Sequence, residues 1–188
     1  MTPDLSSIAT GRDASLFAND VLQKSEAIQD VLGGARVLVI GGAGSIGSST
    51  VHEITAFRPA ALHIIDQNEN ELAELVRSLR SAREPVAIQD LQTLPLDYGS
   101  PAFRAFVRAK GPYDVVLNFA AIKHVRSEKD SYSTLQMFDT NIRKQAMLME
   151  LLKSVGFEGR YFSVSTDKAA NPTSLMGASK RVMEHVMF

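Results

Sequence analysis

The sequence predicts an α/β chain in which a parallel sheet carries helices on both faces, and three observations lead there. Short continuous runs of β-branched and aliphatic residues, such as ARVLVI, have the pattern of strands buried on both faces. Between them lie stretches with apolar side chains at helical spacing. Strand and helix alternate at least four times, as parallel strands joined by right-handed crossovers require.

The elements follow in order. Residues 1 to 13 are polar. From Ala14 to Leu32, Phe17, Val21, Ile28 and Val31 or Leu32 recur at near-helical spacing, and Gly33-Gly34 supplies a stop. Residues 1–34 thus read as a polar segment and an amphipathic helix preceding a main fold over 35–188. The first strand, 35–40, passes through a glycine turn into a helix from Ser45 to Phe57, which Pro59 ends. ALHIID, 61–66, is the second strand, and NENELAELVRSLRSA is a helix burying Leu72, Leu75, Val76 and Leu79. VAIQDLQTLPLD, 86–97, holds the third strand. Ser100 is an N-cap with Pro101 at the first helical position, opening a helix with Phe103, Phe106 and Val107 inward. YDVVLNFAA, 113–121, is the fourth strand, a long helix runs over about 133–155, GRYFSVST, 159–166, is the fifth strand, and MEHVMF ends a last helix. No internal repeat or low-complexity linker interrupts the series, and no room remains within this length for a second domain.

Composition narrows the function classes. With 45% hydrophobic and 22% charged residues and a formal net charge of −1, the chain is neither a disordered tail nor a basic nucleic-acid arm. It has no cysteine, so a disulfide framework and a thiolate metal site are both excluded. No group of His, Asp and Glu has metal spacing, so no metal is expected. No apolar run approaches the roughly 18 residues of a membrane span, and MTPDLSSIATGRD lacks the basic and apolar regions of a signal peptide. A cytoplasmic enzyme is the expectation.

The sequence GGAGSIG, Gly41 to Gly47, directly follows the first strand and opens the first helix of the main fold. Gly41, Gly44 and Gly47, with Ser45 and Ile46 between them, match a G-x-x-G-x-x-G form of the dinucleotide turn. There the missing side chains let backbone approach a pyrophosphate at a helix N-terminus. The fold class is therefore a Rossmann-type doubly wound sheet. Asp66 ends the second strand, placed to accept hydrogen bonds from the adenosine ribose hydroxyls or to cap the next helix. In the first role its charge repels a 2′-phosphate, so NAD is expected rather than NADP. Asp97 and Tyr98, after the third strand, are adenine neighbours or turn residues. Lys123 and His124 follow the fourth strand at the carboxyl edge, where ligands of open α/β sheets bind, or lie in a solvated loop. His63, within an apolar strand, reads as a satisfied buried histidine.

Taken together, GGAGSIG, NFAAIKHV, STDKAANP and MGASK resemble the extended short-chain dehydrogenase/reductases of polysaccharide biosynthesis, over about residues 35–188. Within them the likeness is to the capsular-type nucleotide-sugar 4,6-dehydratases acting on UDP-N-acetylglucosamine. The resemblance implies that a hydride leaves C4 of the sugar for NAD, a proton leaves C5, water leaves from C6 and the hydride returns to C6. It makes Asp167 the acid at C6, Lys168 the base at C5, and Lys180 the holder of the nicotinamide ribose. Ala120, Ala121 and Asn141 then border the cofactor, and Lys123, His124 and Asn171 the sugar. Elimination beside a carbonyl needs a proton donor and a proton acceptor near the same carbons, and burial with mutual proximity can tune an Asp and a Lys to those tasks.

Lys180 lies 4 residues after Met176, where the wider superfamily carries a catalytic tyrosine. A thioether has no proton to exchange, so Met176 reads as core filling. Thr166, Lys168 or a water held near Lys180 are left as takers of the C4 hydroxyl proton. The resemblance also implies a sugar-binding region beyond Phe188 and a homo-oligomer assembled through the helices after the fourth and fifth strands. A nucleotide-sugar 4-epimerase and a non-catalytic dinucleotide-binding module are the alternatives.

Overall fold

The computed structural model describes Gly11 and residues 18–81, 88–123 and 128–187. Two short helices, α1 (Ala18–Gln23) and α2 (Ser25–Leu32), stand where the apolar spacing predicts one. The break falls at Lys24, and the Ser25 hydroxyl donates to the Leu22 carbonyl at 2.8 Å, a local bond that competes with helix continuation. Val21 and Leu22 are exposed, whereas Val31 and Leu32 pack on the core; Phe17 lies outside the described residues.

Five strands form the sheet: β1 (Arg36–Ile40), β2 (Ala61–Ile65), β3 (Asp90–Leu94), β4 (Val115–Asn118) and β5 (Arg160–Ser163). All pairings are parallel, in the order β3-β2-β1-β4-β5, with Val39 opposite Ile64 on one side and Leu117 on the other. The order reverses between β1 and β4, the point at which an open α/β sheet leaves a crevice beyond its carboxyl ends. Helices α3 (Ser45–Thr55) and α4 (Glu69–Arg80) cover one face, where Val37, Val39, Leu62 and Ile64 are fully buried. α5 (Pro101–Lys110) and α7 (Lys144–Ser154) cover the other, with Phe103 of α5 and Leu148 of α7 packed over Leu38, Ile40 and Val116.

Local sequence explains the helix starts. Asn68 Oδ1 accepts from the Glu71 N–H at 3.3 Å, so Asn68 rather than Asp66 caps α4. Ser100 Oγ accepts from the Phe103 N–H at 3.1 Å, with Pro101 opening α5 as its fixed φ favours. The helix predicted over 133–155 runs from 131 to 154 as α6 (Ser131–Phe138), a π-helical turn (Asp139–Arg143) and α7. α8 (Leu175–Met187) follows β5 through a 3₁₀ turn at Asp167–Ala169. His63 is fully buried, its Nδ1 2.8 Å from the Tyr113 hydroxyl. Its Nε2 lies 3.0 Å from Asp90 Oδ2, off the line that a hydrogen bond prefers. Burial lowers its pKa although Asp90 opposes this, as a structural histidine requires.

Candidate cofactor groove and catalytic cavity

The glycine turn sits at the carboxyl end of β1. Gly41 has φ 72°, and a Cβ there would lie 2.6 Å from the Ala120 nitrogen, so only glycine lets this turn meet the loop after β4. A Cβ on Gly47 would lie 2.2 Å from the Gly41 carbonyl oxygen. Gly44 differs: a Cβ there would meet only the Gly41 oxygen at 3.6 Å and would otherwise fill the groove. The first helical bond of α3 runs from Ser48 N–H to the Gly44 carbonyl at 2.8 Å, and no side chain caps the turn. The amides of Ser45, Ile46 and Gly47 are thus left for an anion, and the cradle fits a dinucleotide pyrophosphate.

Two adjoining cavities, of about 220 and 310 Å³, lie on this turn and share Gly41, Gly44, Phe119, Ala121 and Lys123. The smaller is bordered by Asp66, Asp97, Tyr98, Ala120, Thr140 and Lys144. Asp66 Oδ2 accepts from the Ala43 N–H of the glycine turn at 3.1 Å and Oδ1 from the Asn68 N–H at 3.0 Å, which fixes the carboxylate at the groove's edge. Asp97 Oδ2 lies 2.6 Å from the Lys144 ammonium, and Oδ1 accepts from the Gly99 N–H at 2.9 Å. Burial works against ionisation of Asp97, but Lys144 and the Gly99 amide prevail and hold its pKa below the usual carboxylate range. Tyr98 is buried, donates to the Thr140 carbonyl, and has its phenol pKa pushed up by burial.

Around the larger cavity stand Thr166, Lys168, Met176 and Lys180, together with Ser45, Ile46 and Gly47 of the glycine turn. Lys180 is 3% exposed; its ammonium donates to the Val164 carbonyl at 2.8 Å, and burial lowers its pKa to about 8. Met176 is buried, in keeping with a packing role, and its backbone N–H donates to Glu128 Oε1 at 2.8 Å. Asp167 does not border this cavity and its side chain is 88% exposed. Its Oδ1 accepts from the Thr166 hydroxyl at 2.9 Å and lies 3.6 Å from the Lys168 ammonium, and these two, hydroxyl first, lower its pKa. The burial that would tune Asp167 as an acid is thus not supplied by the described residues.

Other sites from the sequence fall elsewhere. Asn141 is buried outside both cavities: Oδ1 accepts from Ile122 N–H at 2.9 Å, and Nδ2 donates to Ile122 O at 2.9 Å and Ser179 Oγ at 3.0 Å. It ties the loop after β4 to α8 and so acts on the groove through backbone. Asn171 is exposed and borders neither cavity; His124 lies outside the described residues. Sequence reasoning missed Lys144, Glu128 and Phe119. No group of three or more His, Asp or Glu able to hold a metal exists among the described residues, and no helix among them is long and apolar enough to cross a membrane.

The strand order, the crevice at its reversal and the glycine turn define a Rossmann-type fold. Residues 37–188 match the family described as polysaccharide biosynthesis protein, and the chain belongs to that family. It is 33% identical over 150 residues to a Methanocaldococcus jannaschii protein described as an uncharacterized membrane protein, covering 80% of this chain and 41% of that one. It is 28% identical over 151 residues to the capsular polysaccharide biosynthesis protein CapD of Staphylococcus aureus, covering 80% and 24%. Similar solved structures include the UDP-Glc/GlcNAc 4-epimerase of Campylobacter jejuni, with TM-score 0.70 and 20% identity over 82% of this chain and 48% of that one. Another is the Bordetella bronchiseptica enzyme WbmF in complex with NAD+, with TM-score 0.62 and 20% identity over 82% and 44%. The chain therefore spans less than half the length of these proteins.

Proposed function

We propose that this chain is the dinucleotide-binding domain of an NAD-dependent nucleotide-sugar 4,6-dehydratase, acting on a UDP-N-acetylglucosamine-like substrate in polysaccharide or glycan biosynthesis. The observation that carries the reading is convergence: Thr166, Lys168 and Lys180 border the same cavity as the glycine turn. When bound, NAD would supply hydride acceptance at C4 and its return to C6, with Thr166, Lys168 or a water held near Lys180 taking the C4 hydroxyl proton and Lys168 returning a proton to C5 as the hydride arrives. The protein's share is positional and protonic. Gly41, Gly44 and Gly47 with the amides of α3 hold the pyrophosphate, Asp66 reads the adenosine ribose, and Lys180 holds the nicotinamide ribose. Lys168 accepts the C5 proton, and Asp167 donates to the departing C6 oxygen once a bound sugar displaces water from its carboxyl. Lys123, His124 and Asn171 are the residues assigned to the sugar nucleotide in this reading.

The reading includes a sugar-binding region beyond Phe188, so its test uses a polypeptide carrying both. Incubation with UDP-N-acetylglucosamine and NAD is expected to yield a 4-keto-6-deoxy sugar. A C4-inverted sugar would make the protein an epimerase, and dinucleotide binding with no product from either reaction would make it a binding module. A homo-oligomer through α6 and α8, where Tyr132, Leu135 and Val182 are exposed, is also proposed. A monomeric mass at high concentration in light scattering would refute it.

A further inference from the structure

The larger cavity contains a buried cation whose counter-charge the chemistry above leaves unnamed. Lys180 is 3% exposed, and its ammonium donates to the Val164 carbonyl at 2.8 Å and lies 3.5 Å from the Met183 sulfur, a weak acceptor. Neither partner carries a charge. Met176, one helical turn earlier, offers only a second thioether. The other charged side chains that border the cavity, Lys123 and Lys168, are cations as well. An ammonium buried among such neighbours is driven towards its neutral form.

Glu184 stands one turn after Lys180 on α8. Its Oε1 accepts from the Ser165 hydroxyl at 2.6 Å, and Ser165 borders the cavity directly after Val164. Two bonds therefore join α8 to consecutive residues beyond β5, and the second of them aims a carboxylate. Arg181 Nη1 lies 3.5 Å from Oε2 and, with 49% of its side chain exposed, is a loose competitor. Two other carboxylates at this end are engaged elsewhere: Asp167 with Thr166 and Lys168, and Glu128 with the Met176 amide. Burial lowers the Lys180 pKa, and Glu184 opposes that.

We propose that Glu184, aimed by the Ser165 hydroxyl, is a positioning residue that keeps Lys180 a cation where the nicotinamide ribose is held. This rests on the dinucleotide reading of the groove. The alternative is that the Ser165–Glu184 bond only fastens α8 to the sheet. A glutamine at position 184 preserves an acceptor for that bond and removes the charge, so Glu184→Gln separates the two.

The first measurement needs no ligand. Carbon NMR of the lysine Cε signals follows the charge of each lysine with pH, and the Lys180 signal is the one missing from Lys180→Met. Its midpoint in the unaltered chain is expected at about 8. In Glu184→Gln it should fall by about one pH unit or more, as the loss of a neighbouring opposite charge requires. Ser165→Ala frees the carboxylate to swing to Arg181; it should move the midpoint the same way by less, and it is the second route if Glu184→Gln fails to fold. The second measurement is calorimetric titration with NAD from about pH 6 to about pH 9. The fall in affinity on the alkaline side should move with the NMR midpoint, so that Glu184→Gln matches the unaltered chain at about pH 6 and binds about threefold more weakly at about pH 8. An unmoved Lys180 midpoint in Glu184→Gln, or an affinity loss equal at both pH values, overturns the assignment and leaves the dinucleotide reading intact. An unaltered chain that binds no NAD overturns that reading and with it the cofactor role of Glu184, while the Lys180 midpoint still decides whether Glu184 sustains the charge.

Discussion

The two ends of the groove solve the problem of charge differently. At the base end, Asp66, Asp97 and Lys144 are each held by neighbours within the chain, and Lys144 is nearly sealed from water. At the proposed catalytic end, Asp167 and Lys168 are 88% and 54% exposed and pair their charges with each other at 3.6 Å. Exposed pairs of that kind contribute between about 0 and 1 kcal/mol and fix little geometry. A cofactor site can be complete before its ligand arrives; in the proposed reading, the proton-transfer site gains its working environment only when substrate excludes water. The difference predicts that changes at Asp66, Asp97 and Lys144 act on binding and stability, and changes at Asp167 and Lys168 on chemistry.

The largest effect is expected at the catalytic end. In a polypeptide that dehydrates the sugar, Lys168→Ala should slow product formation by about 10²–10⁴-fold and abolish deuterium uptake at C5 from heavy water, with NAD affinity retained. Lys180→Ala should lower affinity and turnover together. If Lys168→Ala loses NAD affinity as badly as Lys180→Ala, the two ends are not separate. Gly47→Val comes next: its Cβ would sit 2.2 Å from the Gly41 carbonyl, so the turn must deform, at a cost of about 1–3 kcal/mol in stability and with loss of NAD binding in fluorescence titration.

A pH series sharpens the comparison, because Lys180 is the buried cation of the catalytic end. Its pKa is about 8 in the fold, against about 10.4 in the unfolded chain. Between these values the unfolded state binds more protons, so stability rises with pH from about 8 to about 10.4, while below 8 the penalty of the buried charge is fully present. Lys180→Met should remove this rise from urea midpoints measured across the range. Parallel profiles for the two proteins would mean that Lys180 is better solvated than its 3% exposure indicates.

Smaller effects follow. Asp66→Ala should bring NADP affinity closer to that of NAD by about tenfold, since a carboxylate within about 4 Å of a 2′-phosphate adds at least 1 kcal/mol of repulsion; an unchanged ratio in titration would remove Asp66 from cofactor selection. Met176→Leu should cost less than about 1.5 kcal/mol and leave turnover unchanged, because the volumes match and the thioether carries no exchangeable proton. A folded but inactive Met176→Leu would give the sulfur a role in the chemistry.

Much of this was legible in the sequence because it is local. Continuous apolar runs mark the strands, Ser100-Pro101 marks the start of α5, and three glycines at fixed spacing mark the turn. The groups that join the ends of the groove were not, because they depend on distant segments meeting. Lys144 sits in a helix whose periodicity gives no sign that Gly99, 45 residues earlier (144 − 99), has cleared a space for it. Nor does the spacing around Asn141 reveal the π-helical turn that carries it, since apolar positions on both sides keep a helical pattern. Asp167 was expected to be tuned by burial, and local sequence cannot say how much water a loop keeps.

The outer edge of β5 bears on handling the protein. Among the described residues β5 pairs only with β4, and Phe162 stands 51% exposed on a strand of 4 residues, its ring 6.0 Å from that of Phe119. An open strand edge with an aromatic side chain is a template for another strand, and a short length with Arg160 at its start only blunts that tendency. Self-association through this edge would be irregular, and would precipitate at high concentration instead of stopping at a defined mass. Phe162→Lys should therefore raise the solubility limit without altering a dimer formed by helices, which gives a direct way to tell clumping from assembly.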